Sequence, residues 1–359
     1  MSATGTTYLL ALAPLDLLFF RDGRPFDAAA QVRSGLPQPQ TVAGAVRSWL
    51  LAQTGCDFAR LADSIKSGTT FTEACAAQGG HVADIGALRF RGPWFSRDGR
   101  TPLLPVPATL RRGKEQPRAL FRLDPLRKAL PGWRSKDGLR PLWYKGNDPV
   151  EPPGGYLTLD GMAAFLRGDV PSSDTLVAAE DLYAEDRRTS VAISPQHFTA
   201  SEGQIFSVGF LALKPDVSLL LEIDVPAKPA PMTLPEQAVI RLGGEGRQIH
   251  VRRLPDRIQW PTVKPREGRK LFVLTTPGLF AGGWKPATLT PIAAAVPTPI
   301  ASSGWDLARG GPKPTRFAVP AGAVYFVDEA SSVFAEAFSH GDDAASGAGH
   351  ALEGAWSYV

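Results

Sequence analysis

Cysteine is scarce: the chain of 359 residues has two, Cys56 and Cys75. Two cysteines so placed give neither a zinc-ligand spacing nor a disulfide framework, and they suit thiols in a reducing compartment. Long apolar runs are missing as well, for none approaches the ~20 residues needed to span a bilayer. The nearest to a leader is YLLALAPLDLLFF (8–20), which has no basic residue before it and carries Pro14 and Asp16. It reads as a first strand, not a signal peptide, and the expectation is a soluble cytoplasmic protein with no membrane contact. Histidine is sparse, and His81, His197, His250, His340 and His350 stand apart from one another. There is no P-loop, no GxGxxG after a strand, no HExxH and no GxSxG elbow. EDLYAEDRR (180–188) crowds four carboxylates together but reads as a solvated loop. The expectation from these gaps is no catalytic residue, no metal and no cofactor.

Charge is unevenly spread. The net charge is +4, yet Arg89–Lys145 holds fifteen Lys and Arg against four Asp and Glu, and Arg241–Lys270 holds nine against three. Beyond Arg316 there is no Lys or Arg, while six acidic residues follow. The first basic segment interleaves Trp94, Phe95, Phe121, Trp133, Trp143 and Tyr144. Cations for phosphates beside rings for bases suit a nucleic-acid surface, and a solvated basic loop would have the same composition.

Pro and Gly are plentiful, at 33 and 36 residues, which suits many turns. The periodicities predict strands over 8–20, 87–95, 189–194, 204–213, 217–225 and 270–280, with one or two more within 304–328. They predict helices over 40–55, 159–167 and 331–341. In the first helix Thr41 is placed to cap the start, Gly55 to end it, and Arg47 on the face opposite Val42, Val46 and Leu50. Residues 107–180 are rich in Pro, Gly and charge and read as an insertion with little regular structure. Residues 234–254 read as a helical turn, a glycine-rich loop and an exiting strand.

Three stretches invite a ligand. RDGRPF (21–26) ends an apolar run in a turn that holds Arg21 and Arg24, with Pro25 denying the outgoing segment a donor. LGGEGR (242–247) offers glycine freedom and exposed N–H groups to a phosphate, followed by Arg247; a plain hairpin turn would also carry such glycines. PKPTRFAVPAG (312–322) sets Lys313, Thr315 and Arg316 on a proline-stiffened loop.

PLDLLFFRDGRPF, LPQPQTVAGAVRSWLL, LGGEGR and GWDL through PKPTRFAVPAGAVYF, in this order, resemble the third-subunit family of the Cmr complex. Its members are RAMP proteins of type III-B CRISPR effectors. The resemblance spans both ends of the chain and leaves 107–180 unmatched. It implies an α+β fold of two tandem ferredoxin-like (RRM-like, βαββαβ) domains, at 1–258 and 265–359, with the loop-rich insertion in the first. It implies a non-catalytic subunit that caps the 5′ handle of the crRNA and bridges the large polymerase-like subunit to the backbone RAMP subunit, meeting target RNA only through the complex. Carried onto this chain, the RNA-binding residues would be Arg21, Arg24, Arg33, Thr41, Arg47, Gly243, Gly244, Gly246 and Arg247, with Lys313 and Arg316 as further candidates. The acidic glycine loop SHGDDAASGAGHALEGAW (339–356) would repel phosphate and suits a subunit contact.

Two alternatives stand beside this. One is a metal-independent RAMP endoribonuclease, for which His197 and His250 are the candidate bases. The other is the equivalent subunit of the type III-A (Csm) complex. Incubating the purified protein with repeat RNA is expected to leave the RNA intact, with or without added metal. Cleavage would establish the nuclease instead.

Overall fold

The computed structural model describes residues 5–21, 31–128, 130–135, 137–193, 196–197, 199–227, 232–264, 268–328 and 338–359. The N-terminal apolar run forms β1 (Thr6–Pro14). It stops short of the expected 8–20 because Pro14 lacks an N–H to continue a ladder; Leu18 rejoins a sheet as a single bridge to Leu211. After β2 (Gln31–Arg33) comes α1 (Pro39–Ala52). Thr41 does not cap it: Gln38 is the extended residue ahead of the helix and Pro39 opens it, where the fixed φ of proline fits. Three short helices follow, α2 (Phe58–Lys66), α3 (Phe71–Ala76) and α4 (Gly80–Gly86). Asp57 caps the first of them, and a Thr70–Glu73 capping box opens the second.

Next come β3 (Arg89–Ser96) and, after short ladders such as Leu110–Gly113 with Leu120–Arg122, α5 (Leu159–Arg167). The long hairpin β4 (Tyr183–Ile193) and β5 (Ala200–Leu213) takes β2 as a parallel neighbour. So EDLYAEDRR is largely strand, not loop. β6 (Ser218–Val225) is followed by a hairpin, β7 (Gln237–Arg241) and β8 (Gln248–Leu254). The helical turn expected before the glycine loop is therefore a strand. The chain continues through β9 (Lys270–Leu274), β10 (Ala293–Ala295), β11 (Ile300–Ser302), β12 (Arg316–Ala318), β13 (Val324–Val327), α6 (Gly341–Ala345) and β14 (Ala351–Ala355). The helix expected over 331–341 lies mostly outside the described residues.

Two larger sheets organise the chain, in the orders β7-β8-β1-β6-β3 and β10-β13-β9-β14. Numbered by chain order within each sheet, β8-β1-β6-β3 and β14-β9-β13-β10 both read fourth, first, third, second. The architecture is α+β. Alternate residues of each strand enter different apolar layers, as the pleat requires. Leu10 and Leu12 of β1, with Leu219 and Leu221 of β6, pack under α1 beside Val42, Val46 and Leu50. Leu9, Ala11 and Leu220 face the other way, into a layer shared with Leu271, Val273, Val324 and Phe326 of the second sheet. Phe272, Leu274 and Tyr325 form a third layer beyond that sheet. The insertion is no appendage, since its Leu110, Leu157, Met162 and Phe165 are fully buried in the shared layer. At Gly92 the β3–β6 register slips, and a Cβ there would lie 2.8 Å from the Leu220 carbonyl oxygen. The slip turns Trp94 into the shared layer while Phe90 and Phe95 stay under α1.

Two polar side chains buried between the sheets, Glu222 and His350, are hydrogen-bonded. Glu222, 2% exposed, accepts from Arg91 Nε and Trp260 Nε1, both at 3.0 Å. Burial pushes its carboxyl up, and Arg91 opposes the shift. His350 is buried against Trp94 and Trp260, with Nδ1 2.6 Å from the Thr275 hydroxyl. Burial, reinforced by the Arg91 charge, lowers its pKa to about 3.

Arg47 is not on an outward face. It is 7% exposed and lies between the rings of Phe71 and Phe90, at 4.9 and 5.0 Å. It donates to Leu88 O, Ser346 Oγ and Ala345 O at 3.1–3.4 Å. Burial lowers its pKa to about 10, with Asp342 opposing. The face opposite Val42 is covered by α3 and by the loop after α6, so this arginine is a tie between the ends of the chain and not a phosphate contact. In the C-terminal glycine loop Ser346 to His350 are buried, while His340 to Asp342 stay exposed.

Two outcomes follow. Arg47→Ala should lower stability to urea by about 3 kcal/mol, because it leaves a cavity and buried carbonyls without donors, while the RNA affinity of the folded fraction stays unchanged. His350 is neutral when folded and protonates when unfolded. Its contribution is therefore whole above about pH 6.5 and is lost as pH falls toward 3, by about 1.4 kcal/mol per unit. Urea midpoints between pH 7 and 4.5 should fall less steeply in His350→Leu than in the parent.

Candidate nucleic-acid interface

Phe19, Val208 and Phe210 form a small apolar cluster of their own, flanked by Leu17, Val32 and Phe206. It fastens four pieces of chain together. The Phe19 carbonyl accepts from Gly244 N at 2.7 Å, the Phe20 carbonyl accepts from Gly35 N at 2.8 Å, and Phe20 N donates to Ser34 Oγ at 2.9 Å. Leu18 and Leu211 exchange both backbone hydrogen bonds, at 2.8 and 2.9 Å. Arg21 emerges exposed at the end of this segment, and Arg24, with the rest of the RDGRPF turn, lies outside the described residues.

The glycine loop is built against Phe19. Gly243 has φ 80°, and a Cβ on it would lie 2.5 Å from the Phe19 carbonyl oxygen. A Cβ on Gly244 would lie 3.1 Å from the Phe19 ring. These two glycines permit close approach to the chain's own backbone, a reason the sequence reading assigned to a ribose-phosphate chain. Gly246, also at positive φ, has open space on its Cβ side. Arg247 turns back over the cluster, its guanidinium 4.7 Å from the Phe210 ring centroid and Nη1 2.6 Å from Asp16 Oδ2.

The hairpin β4–β5 supplies cations that the sequence reading left in a solvated acidic loop. Arg188 stands 5.7 Å from the same Phe210 ring and pairs with Asp186 at 3.3 Å. Arg187 pairs with Glu185 at 3.0 Å, and Arg33 of β2 lies 3.6 Å from Glu185. Arg187 and Arg33 hold the Glu185 carboxyl below its usual range, and Asp186 raises Arg188. The alternating pairs, Glu185 with Arg187 and Asp186 with Arg188, are the i, i+2 pattern of a strand polar on both faces, a signal legible in EDRR. Arg188 and Arg247 thus meet at the Phe210 ring, while Arg187 and Arg33 share Glu185 on the opposite face of the hairpin and exposed Arg21 follows Phe19 and Phe20 in the chain. Exposed pairs of this kind are worth about 0–1 kcal/mol, so phosphate oxygens can take the place of the carboxylates.

The other expected residues fall elsewhere. Thr41, half-buried in the first turn of α1, lies beside Gln40, whose Nε2 donates to Ser302 Oγ of β11 at 2.7 Å. β11 pairs with β12, which carries Arg316. Arg316 is bidentate to Asp343, at 3.2 and 2.5 Å, and Lys313 is exposed on the same 300–318 excursion. Trp305, Leu307 and Phe317 stand exposed there too. Much of the basic charge at 89–145 serves internal acceptors: Arg91 binds Glu222 and Asp224, Arg112 binds Glu151, and Arg111 donates to carbonyls. Among the described residues no group of His, Cys, Asp and Glu could hold a metal ion, and no helix is long and apolar enough to cross a membrane.

Among curated proteins none matches the sequence. Solved structures similar to the chain include a subunit of the type III-B Cmr-beta complex bound to cognate target RNA and AMPPnP. It has 16% identity and a TM-score of 0.51, with 89% of this chain and 86% of that one covered. A subunit of Cmr-beta bound to cognate target RNA matches at 15% identity, a TM-score of 0.51 and the same coverage. At this identity the likeness is one of fold. The model of the family described as CRISPR-associated protein (Cas_Cmr3) matches residues 10–356. With nearly the whole length matched, the chain belongs to the Cas_Cmr3 family of CRISPR-associated proteins.

Proposed function

We propose that this chain is a non-catalytic RNA-binding subunit of a type III-B Cmr complex, capping the 5′ handle of the crRNA. The carrying observation is the meeting of Arg188 and Arg247 at the Phe210 ring beside the glycine loop, with Arg33 and Arg187 on the opposite face of the same hairpin and Arg21 exposed next to Phe19 and Phe20. A constant RNA end needs sequence-tolerant phosphate contacts on a rigid support, and every element of this support is clamped by backbone hydrogen bonds. The shared strand order of the two sheets supports two ferredoxin-like units, 1–258 and 265–359, the first with β7 where the second helix of the pattern belongs. Bridging between the large polymerase-like subunit and a backbone subunit is the second half of the proposal. Exposed Trp305, Leu307 and Phe317 support it, for large apolar side chains gathered on one excursion suit a protein neighbour.

Purification of the native assembly tests the whole reading: the expected RNA is a set of short guides with one constant 5′ handle. In the purified chain, Arg21→Glu with Arg33→Glu should weaken handle binding at least 10-fold. The salt slope should become shallower by about 1.4, for two lost phosphate contacts on a single strand. An unchanged slope in the folded double variant would sink the assignment of this face.

A further inference from the structure

The insertion and the exit of β14 enclose a cleft of about 350 Å³ that shares no residue with the interface above. Its floor is Arg122, which is buried and committed to the protein. Nη1 donates to Phe165 O at 2.8 Å, Nη2 to Ala355 O at 3.2 Å, and Nε lies 3.0 Å from Asp124 Oδ1. Its walls include Phe121 and Tyr144, with ring centroids 5.2 Å apart, and Tyr358. Lys145 and Arg167 also line it. Arg167 shares its charge with Asp169 at 3.3 Å, whereas Lys145 is exposed and has no carboxylate within 4 Å among the described residues. Arg127, Arg140 and Arg269, which do not line the cleft, hold Tyr358 in place with guanidinium groups 5.1–5.7 Å from its ring centroid. Of the acidic side chains nearby, Asp124 is engaged with Arg122, and Asp328 with Arg269 and the Tyr358 hydroxyl.

Aromatic rings beside Lys145 and Arg167 along one small volume select for a ligand that is aromatic at one end and anionic at the other. A bare phosphate has no use for the rings, and an apolar ligand has none for Lys145. The volume lies at the low end of the ~300–1,000 Å³ of ligand sites, room for one nucleotide and not for a duplex. We propose that this cleft is a second nucleotide site, independent of the handle interface, in which Phe121 and Tyr144 offer ring faces to a base while Lys145 and Arg167 take its phosphate. The ligand is a nucleotide, either free or as one splayed residue of an RNA strand.

Equilibrium binding to the full chain at low salt tests this with AMP, UMP and a ten-residue oligouridine. Tyr144→Ala should weaken binding about 10-fold, in line with the loss of one base-stacking ring, and Tyr144→Phe should stay within about 2-fold of the parent. Lys145→Ala, a surface change that leaves the fold intact, should weaken binding about 5-fold and flatten its salt dependence. Losses with AMP or UMP identify a free nucleotide as ligand. Losses with oligouridine alone identify an RNA residue, and both results support the cleft. The Arg21→Glu, Arg33→Glu variant separates the two sites. If it abolishes oligouridine binding while Tyr144→Ala and Lys145→Ala change nothing, the cleft is refuted and the handle interface stands. If none of the three probes saturates the chain, the cleft is refuted as well.

Discussion

The apolar layer between the two sheets is the interaction on which the rest of the molecule depends. β1, β6 and β9 are buried on both faces, so none of them can be stable unless something covers each side. Leu9, Ala11 and Leu220 need the second sheet as much as Leu271 and Val273 need the first. Each fully buried side chain of this kind is worth about 1.5–3 kcal/mol. The insertion closes the edge of the same layer with Leu110, Met162 and Phe165. The buried charges obey the same constraint, since Glu222 and Arg91 persist between the sheets only because each has partners there.

The candidate interface is the reverse case. It rests on a satellite cluster of a few rings, and its cations sit on short ion pairs with Asp16, Glu185 and Asp186. Little is spent in exchanging those carboxylates for phosphates, whereas the backbone beneath is fixed by Phe19, Gly35 and Gly244. A rigid base under exchangeable charges is what sequence-tolerant capture of an RNA end requires.

Several features were legible in the residues alone. The α5 helix lies at 159–167 as its periodicity requires, with Thr158 capping and left-handed Gly168 ending it. The strands at 87–95, 204–213 and 217–225 follow from alternation and apolar content. Other features were not. QAVIR was mistaken for a helical turn because five residues do not separate the two periods. Arg47 was placed outward because a helical wheel knows nothing of α3 or of the loop after α6, which cover its second face. The glycines of LGGEGR were noticed, but their cause is a carbonyl oxygen more than two hundred residues away in sequence.

By itself the sequence determined local conformation, the family, and the residue types that can meet RNA, because turn chemistry, periodicity and motif order are properties of neighbouring residues. Only the tertiary structure decided which arginines those are. It moved Arg47 inside, tied Arg316 to Asp343, and brought Arg188 and Arg247 to Phe210. The fate of a cation is set by which carboxylate, carbonyl or ring the fold delivers within a few ångströms, and that depends on contacts between distant parts of the chain.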